Sequence, residues 1–377
     1  MTRQRDLYIT TYAPNVATGR DMRTYTCVRA LSMLEPVDLV YVPHDTDEPS
    51  ELYRAIGNVE FHKVMPSRGA RRAALYARTR ASGFPAGCCR GVSPELVELG
   101  ERLADMPGRG RVIVADATAA TAMMGLARRR PVTYNAHNFE SDYVRGSRLA
   151  QAAMRRFERA AISASSETWM VSRVDVESAR RLVPAADVRY VPNVVDVTAI
   201  EPRVIAPHGV SGAGASVLMV GDFTYAPNRD ARDLLVEGIL PLVWEKMGEV
   251  RLKLAGRGMD GWSAPDPRID AEGFVDDLAT LYAQADCVVV PLTEGAGSPL
   301  KFVEALAYGV PVVATPRAAR GLEVQSGVHY REGSDAHSLA GAIVDVLYDG
   351  AAEMAARGRQ LAEREYSIES LAERIAA

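Results

Sequence analysis

The stretch EGAGSPLKFVEALAYGVPVVAT, Glu294 to Thr315, decides the fold because it has the pattern glycine loop, helix, strand. The apolar run DCVVV before it, Asp286 to Val290, is typical of a buried parallel strand. Ser298 as N-cap and Pro299 as first helical residue predict the start of a helix that ends at Gly309. A helix start opened by glycines presents free N–H groups and the positive dipole end, so this pattern predicts an anion site.

Two charged residues share one face of the predicted helix, Lys301 and Glu304, three positions apart. A lysine near a diphosphate and a carboxylate near sugar hydroxyls are what a nucleotide-sugar site needs. The alternative is a surface ion pair worth about 0.3 kcal/mol. We expect the donor-binding residues of this segment to be Gly297, Ser298, Leu300, Lys301 and Glu304.

Short apolar runs alternate with helical segments along the whole chain, which predicts an α/β fold with parallel sheets. A proline- and glycine-rich segment, Glu201–Ser216, indicates a linker between two domains. The predicted strands are Leu7–Thr11, Val37–Val42, Val59–Val64, Val112–Asp116, Val132–Asn135, Thr168–Val171, Val188–Val191, Val217–Gly221, Val250–Gly256, Cys287–Val290 and Pro311–Ala314.

Length and charge limit the function classes. A chain of 377 residues with 47% hydrophobic residues predicts two globular domains. Residues 1–197 carry a net charge of +6 and the remainder −10, which favours a phosphorylated or membrane-surface acceptor in the first half and is too weak for nucleic acid. The four cysteines lack metal-site spacing, and neither a signal peptide nor a membrane span of about 18 apolar residues is found, so we expect a cytoplasmic location.

Five segments extend the pattern upstream of the opening stretch. They are ATGRDMRTYT (Ala17–Thr26), NAHNFESDYVR (Asn135–Arg145), ERAAISASSETWMVSRVD (Glu158–Asp175), VPNVVD (Val191–Asp196) and EGFVDDLATLYAQAD (Glu272–Asp286). In this order, with the opening stretch, they resemble retaining family-4 glycosyltransferases of the GT-B fold. The motifs sample most of the chain.

The resemblance implies two facing Rossmann-like domains with an interdomain cleft. It places the acceptor in domain 1–197 and the nucleotide-sugar donor in domain 198–360, with residues 361–377 packing back on the first domain as a helix. It implies transfer from a nucleotide sugar, UDP-hexose or UDP-N-acetylhexosamine above others, to a small-molecule, lipid or glycan acceptor with retention of configuration. A cofactor or metal is not implied, and membrane contact is not favoured.

The resemblance also gives roles to individual residues. His137 and Lys301 are the expected catalytic residues. Gly19, Asn228, Arg257 and the backbone of Val275 join the helix residues as donor-binding positions. Arg20, Arg23 and Asn138 are assigned to the acceptor. The alternatives are a hydrogen-bonded loop histidine for His137, a plain turn for Gly19 and ordinary surface arginines for Arg20 and Arg23.

The sequence departs from the family pattern at two places. Seven residues before Glu304, where many members have a glutamate, stands Ala296, and Glu294 lies two residues early. After the first strand of the second domain, Asp222 and Asn228 stand where an arginine and a lysine are common. This version resembles a subgroup with a glycine-serine-glycine loop followed by lysine. These departures keep an inactive sugar-nucleotide-binding partner protein open. An epimerase of the same fold is a further alternative, but it would need extra acids near the sugar, and the missing glutamate does not favour it.

Three further patterns have plainer explanations. Gly256–Gly261 matches a dinucleotide-binding pattern, but prolines follow it where a helix should open. Asp45 and Asp47 form a metal-motif-like DTD within a polar loop, where solvation explains them. The basic stretch Arg68–Arg80 could lie on an anionic membrane, but its apolar residues are mostly alanine and favour an ordinary exposed helix.

Overall fold

The chain forms two compact units with one parallel sheet each. The computed structural model describes residues 4–16, 18–43, 48–144, 147–203, 214–275, 278–295, 297–349 and 351–377. Unit 1 comprises Met1–Pro192 and Leu371–Ala377, and unit 2 comprises Asn193–Ser370. The predicted α/β class with parallel sheets is confirmed, while Asp45 and Asp47 and most of the predicted linker lie outside the described residues.

Unit 1 contains a seven-stranded sheet in the order β3-β2-β1-β4-β5-β6-β7. Every neighbouring pair is parallel, with Leu7 opposite Asp38 on one side and opposite Val112 on the other. The apolar runs of the sequence form these strands because both sheet faces are covered. The strands are β1 Arg5–Ile9, β2 Val37–Tyr41, β3 Val59–Lys63, β4 Arg109–Ala115, β5 Thr133–Asn135, β6 Glu167–Met170 and β7 Val188–Tyr190.

The helices of unit 1 follow their strands in sequence and are capped mainly by Ser, Thr and Asp side chains. They are α1 Gly19–Leu34, α2 Glu51–Arg54, α3 Ala70–Ala81, α4 Pro94–Ala104, α5 Ala117–Ala127, α6 Arg148–Ala164 and α7 Arg173–Leu182, with 3-10 turns at Ala86–Cys88 and Glu140–Asp142. The basic stretch forms α3, none of whose residues is buried. Among the described residues, no helix has both the length and the apolar character needed to cross a bilayer.

Unit 2 contains a six-stranded parallel sheet in the order β10-β9-β8-β11-β12-β13. Two strands were missed by the sequence patterns. β10 carries Asp270 and Glu272 on an edge, where both pair with Lys253, so it lacks an apolar signature. β13 has only two residues. The strands are β8 Ser216–Val220, β9 Arg251–Ala255, β10 Ile269–Glu272, β11 Cys287–Val290, β12 Val312–Ala314 and β13 Arg331–Glu332.

The helix of the opening stretch begins later than predicted. α11 starts at Leu300 and its N-cap is Pro299, which is extended at φ −66° and ψ 114°, so the expected Ser298 cap is wrong. The end is as predicted: Gly309 follows with φ 65°. The helices here are α8 Ala226–Asp233, α9 Leu240–Lys246, α10 Leu278–Gln284, α11 Leu300–Ala307, α12 Pro316–Ala319, α13 Ala336–Asp349 and α14 Ala352–Glu365, with a 3-10 turn at Val197–Ala199 and a π turn at Leu234–Ile239. The last helix, α15 Ile368–Ala376, begins in unit 2, and its residues from Leu371 onward belong to unit 1.

Each sheet reverses its strand order once, and that reversal marks where ligands bind in open α/β sheets. In unit 1 the reversal lies between β1 and β4, and in unit 2 between β8 and β11. Because all strands are parallel, the residues that follow these strands meet at one edge. Those residues are Thr10–Tyr12 and Asp116 in unit 1, and Gly221–Asp222 and the glycine loop after β11 in unit 2.

Candidate functional site

Three glycines allow the loops of unit 2 to approach each other closely at the reversal of its sheet. A Cβ on Gly256, whose φ is 141°, would lie 1.7 Å from the Gly221 carbonyl oxygen. A Cβ on Gly258, at φ 81°, would lie 2.6 Å from the Thr224 amide nitrogen. A Cβ on Gly221 would lie 3.0 Å from Lys301 Nζ. The glycines thus bring two loops together against Lys301. Gly256 and Gly258 have a packing role here, in agreement with the expectation that the pattern Gly256–Gly261 is not a dinucleotide-binding motif.

The Lys301 ammonium is fixed at the start of α11. Its Nζ donates to Asn228 Oδ1 at 2.9 Å, and Asn228 Nδ2 donates to the Asp222 carbonyl oxygen at 2.8 Å. Burial lowers the pKa of Lys301 to about 8, although the nearby Glu304 and Asp222 carboxylates favour the charged form. The ammonium is therefore partly shielded from water, oriented by an amide and adjacent to the positive end of a helix dipole. These are the conditions in which a cation holds an anion strongly.

Glu304 is held one helical turn later by a tyrosine. Tyr282 OH donates to Glu304 Oε2 at 2.9 Å, and the Tyr282 ring stacks on Tyr308 with centroids 4.6 Å apart. Burial raises the pKa of Glu304, while the Tyr282 hydrogen bond and Lys301 oppose that rise. Glu304 Oε2 thus has one fixed donor, and the carboxylate is oriented to accept further donors such as a pair of sugar hydroxyls.

The loop before α11 contains buried polar atoms that lack a partner in the described chain. Gly295 and Gly297 have φ of 127° and 69°, and Arg317 donates to the Gly295 carbonyl oxygen. Asn193 Nδ2 donates to the Ser298 carbonyl oxygen at 3.1 Å, but Asn193 Oδ1 and Ser298 Oγ have no hydrogen-bond partner there. Because an unpaired buried polar atom is unfavourable, these atoms indicate a polar ligand beside the loop.

The other donor-site candidates in unit 2 are placed as follows. Arg257 donates to Asp222 Oδ2 at 2.8 Å, so it lies beside the same loop as Lys301. Leu300 and Val275 are partly buried and pack against the hydrophobic core of unit 2. The structure thus brings Asn228, Arg257 and Lys301 to one loop, whereas Ala296, at the position of the missing glutamate, lies outside the described residues.

The catalytic candidate of unit 1 is His137. Neither of its ring nitrogens has a hydrogen-bond partner in the described chain, although both are shielded from solvent. Burial lowers its pKa to about 3, with Arg23 and Arg20 adding to the effect, so the imidazole is neutral. It stacks near Tyr12 at 6.1 Å between centroids, and Arg20 donates to Tyr12 OH at 2.6 Å. A neutral imidazole offers one donor and one acceptor, and a ligand would satisfy both.

The remaining candidates of unit 1 are Arg23, Asn138 and Gly19. Arg23 is buried and donates to the Pro192 carbonyl oxygen at 2.5 Å and to Asn135 Oδ1 at 2.8 Å. These contacts favour a structural role over the expected binding of an acceptor. Asn138 donates to the exposed Glu140 at 3.2 Å. Gly19 begins α1, and a Cβ there would meet nothing within 4 Å, so this position has room for a side chain.

One carboxylate–histidine cluster occurs among the described residues, formed by Asp38, Glu60 and His62. Asp38 already accepts from Arg5 at 2.9 Å and from Arg109 at 2.6 Å. Hydrogen bonds from these groups and from His62 hold the pKa of Asp38 below its usual range, although burial opposes them. Two guanidiniums leave little negative charge for a metal, so the donor set fits an ion-pair network.

Sequence reasoning missed several residues that complete these sites. Tyr12 and Tyr282 orient the candidates but carry no motif of their own. Asn193 belongs to the VPNVVD segment, whose position at the boundary of the two units was the available signal. Asp222 was noticed only as a departure, yet it contacts both Arg257 and Asn228.

Comparison with known proteins adds a family match over part of the chain. Residues 214–349 match the model of the family described as glycosyl transferases group 1, and they contain Asn228, Arg257, Lys301 and Glu304. No curated protein matches the sequence.

Solved structures match over nearly the whole length. Sucrose-phosphate synthase from Thermosynechococcus elongatus is similar with a TM-score of 0.74 and 18% identity, covering 99% of this chain and 98% of that chain. HepE from Anabaena in complex with UDP and glucose is similar at 0.69 and 16%, covering 99% and 98%. A glycosyltransferase from Rickettsia africae ESF-5 is similar at 0.68 and 12%, covering 100% and 97%. At these identities the likeness shows the fold alone: the chain shares the two-unit α/β fold of these proteins.

Proposed function

We propose that this protein is a glycosyltransferase that moves a sugar from a nucleotide-sugar donor to an acceptor. The observation that carries the proposal is the Lys301 ammonium, fixed by Asn228 at the start of α11 beside close-packed glycine loops. The family match over residues 214–349 covers this arrangement, and HepE, of similar fold, has been solved with UDP and glucose. The function of the chain rests on its own residues, because similarity of fold leaves activity open.

The chemistry requires stabilisation of a departing nucleoside diphosphate. As the bond between the anomeric carbon and the phosphate oxygen breaks, negative charge grows on that oxygen and positive charge on the sugar. Lys301 and the N–H groups at the start of α11 would face the growing negative charge before the reaction begins, so little reorganisation is needed. Loss of one such donor typically raises the barrier by about 3 kcal/mol. This fixed ammonium supports a proposal of metal-independent transfer.

The other candidate residues would contact the nucleotide part and the sugar part of the donor. We assign Glu304, oriented by Tyr282, to the ribose hydroxyl pair and Arg257 to the diphosphate. The unpaired Ser298 Oγ and Asn193 Oδ1 would meet polar groups of the donor. We assign His137 to the transferred sugar, because its neutral ring has two unpaired nitrogens that suit hydroxyl groups.

We propose UDP-hexose or UDP-N-acetylhexosamine as donor and retention of configuration as outcome. The donor proposal is supported by the fold shared with HepE, solved with UDP-glucose as well as with UDP. Retention is supported by the motif resemblance. We propose the acceptor for unit 1, where Tyr12 follows β1 at the reversal of the sheet and its ring stacks near His137.

A panel of nucleotide sugars tests this function. Thermal shift with UDP-, GDP- and ADP-sugars should give the largest stabilisation with a UDP-sugar, because a ligand that binds only the folded state raises its stability. UDP release should then be measured with that donor in wild type and Lys301→Ala. Release that needs Lys301 supports a transferase, whereas exchange of sugar epimers without release supports an epimerase. Binding without any turnover supports an inactive partner, and a flat thermal response contradicts the donor site.

A further inference from the structure

Unit 1 contains a pocket of about 440 Å³ that the motifs do not explain. Its wall includes residues that follow three adjacent strands: Thr11 after β1, Pro43 after β2 and Thr118 after β4. Ligands of parallel sheets bind at these carboxyl ends, near the reversal of strand order. Tyr12 also lines the pocket and stacks near His137, so the pocket adjoins the catalytic candidate of the same unit.

Three guanidiniums line this pocket: Arg68, Arg72 and Arg90. In the described part of the chain none of them has a carboxylate partner, and Arg72 donates only to the Arg90 carbonyl oxygen at 3.2 Å. The neighbouring Arg71, on the same helix α3, is paired with Glu98 and lies outside the lining. The three arginines that line the pocket thus keep their positive charge without a carboxylate partner, unlike Arg71.

The threonines of the pocket wall are held in place by internal hydrogen bonds. Asp116, at φ 69°, accepts from the Thr11 amide at 2.8 Å and from the hydroxyls of Thr10 and Thr11 at 3.1 Å. A Cβ on Gly91 would lie 2.7 Å from Thr118 Cγ2, so only glycine allows this close approach. The carboxylate of Asp116 accepts these hydrogen bonds and one from the Ala119 amide. The charged side chains that line the pocket are therefore the arginines, which make its potential positive.

We infer that this pocket binds an anionic group of the acceptor, a phosphate ester above all. Guanidiniums match phosphate oxygens in pairs, and three unpaired ones beside the Tyr12 hydroxyl form a site for a dianion. The inference rests on the proposed transfer reaction, since it names the acceptor class of the same unit. The anion would anchor the acceptor in the pocket while its hydroxyl lies toward Tyr12 and His137.

The test is a binding measurement that needs no turnover. Calorimetry compares a hexose 6-phosphate with the same hexose, and sedimentation compares phosphatidylcholine vesicles with and without phosphatidylglycerol. Arg68→Gln/Arg90→Gln removes two exposed guanidiniums of the pocket. Arg78→Gln/Arg80→Gln removes the same charge from exposed positions of α3 outside it. Lys301→Ala reports on the donor site.

We expect the hexose 6-phosphate to bind wild type, Lys301→Ala and the Arg78/Arg80 variant alike, and the free hexose not to bind. The pocket variant should lose about tenfold in affinity for each guanidinium removed. Vesicle binding lost only in the pocket variant would support the same site with a lipid headgroup as the anion. Equal behaviour of the pocket and control variants with both probes, including no binding to either, overturns the inference. UDP binding, measured separately, decides the donor site.

Discussion

The sharpest consequence of the buried ammonium is a pH dependence of UDP affinity. The pKa of Lys301 is lowered by burial to about 8 in the free protein. The lysine is then about 90% protonated at pH 7 and about 10% at pH 9. If only the ammonium form holds the diphosphate, the apparent Kd of UDP rises about tenfold between these pH values, because the binding-competent fraction falls by that factor.

Calorimetric titration of UDP at half-unit steps from pH 7 to 9 measures this effect. Lys301→Met is the control, since it keeps the Glu304 and Asp222 carboxylates that face the lysine and the ionisations of UDP itself. The variant should bind UDP weakly with a flat pH profile. The stability of the ligand-free protein has the opposite pH dependence. Between pH 8 and 10.5 the unfolded chain holds more protons at this lysine than the folded chain does, so the free energy of unfolding increases as the pH rises. Parallel profiles for UDP in wild type and variant would refute the reasoning.

Three other substitutions separate the parts of the site. Glu304→Ala should weaken UDP binding about tenfold in calorimetry without affecting the binding of pyrophosphate, because it removes ribose contacts; an equal loss for both ligands would contradict that assignment. His137→Ala should lower the rate of sugar transfer about tenfold or more while the Kd of UDP stays within twofold; unchanged transfer would leave His137 structural. Gly256→Ala should destabilise the protein by about 2 kcal/mol or more in denaturant unfolding, since the new Cβ meets the Gly221 carbonyl oxygen at 1.7 Å. Gly341→Ala, in helix α13 with open space around it, should be neutral or stabilising.

The architecture could be predicted where strands are apolar and buried on both faces. The run Cys287–Val290 forms β11 with the predicted bounds, since a short β-branched run that is buried throughout is typical of a central parallel strand. β10 escaped prediction because three of its four residues, an alanine and two acids, are poor strand formers. Both acids, Asp270 and Glu272, pair with Lys253, a contact that no local pattern shows.

The start of α11 illustrates the limit of local signals. Ser298 and Pro299 together have the composition of an N-cap and first helical residue. In the structure Pro299 is itself the extended cap, at ψ 114°, so the helix begins one residue later, after Gly297 has turned the chain with positive φ. The serine hydroxyl is thereby left without a partner, and what a motif assigned to capping becomes a candidate ligand contact.

The arginine pocket could not be predicted at all. Arginine is abundant in this chain, and α3 alone carries both Arg71, which pairs with Glu98, and Arg72, which lines the pocket. Which guanidinium lacks a partner is decided by packing between segments far apart in sequence. The same holds for Tyr282, whose hydrogen bond to Glu304 crosses from one helix to another.

The most direct test of the account compares UDP with uridine as ligands of wild type and Lys301→Met. The two ligands differ only in the diphosphate, and the variant keeps most of the lysine stem while removing the charge that Asn228 orients. Calorimetry should show UDP binding wild type far more tightly than uridine, and the ratio of the two affinities should fall by about tenfold to a hundredfold in the variant, with uridine itself unaffected. An unchanged ratio would mean that the diphosphate does not meet Lys301 and would contradict the proposed donor site.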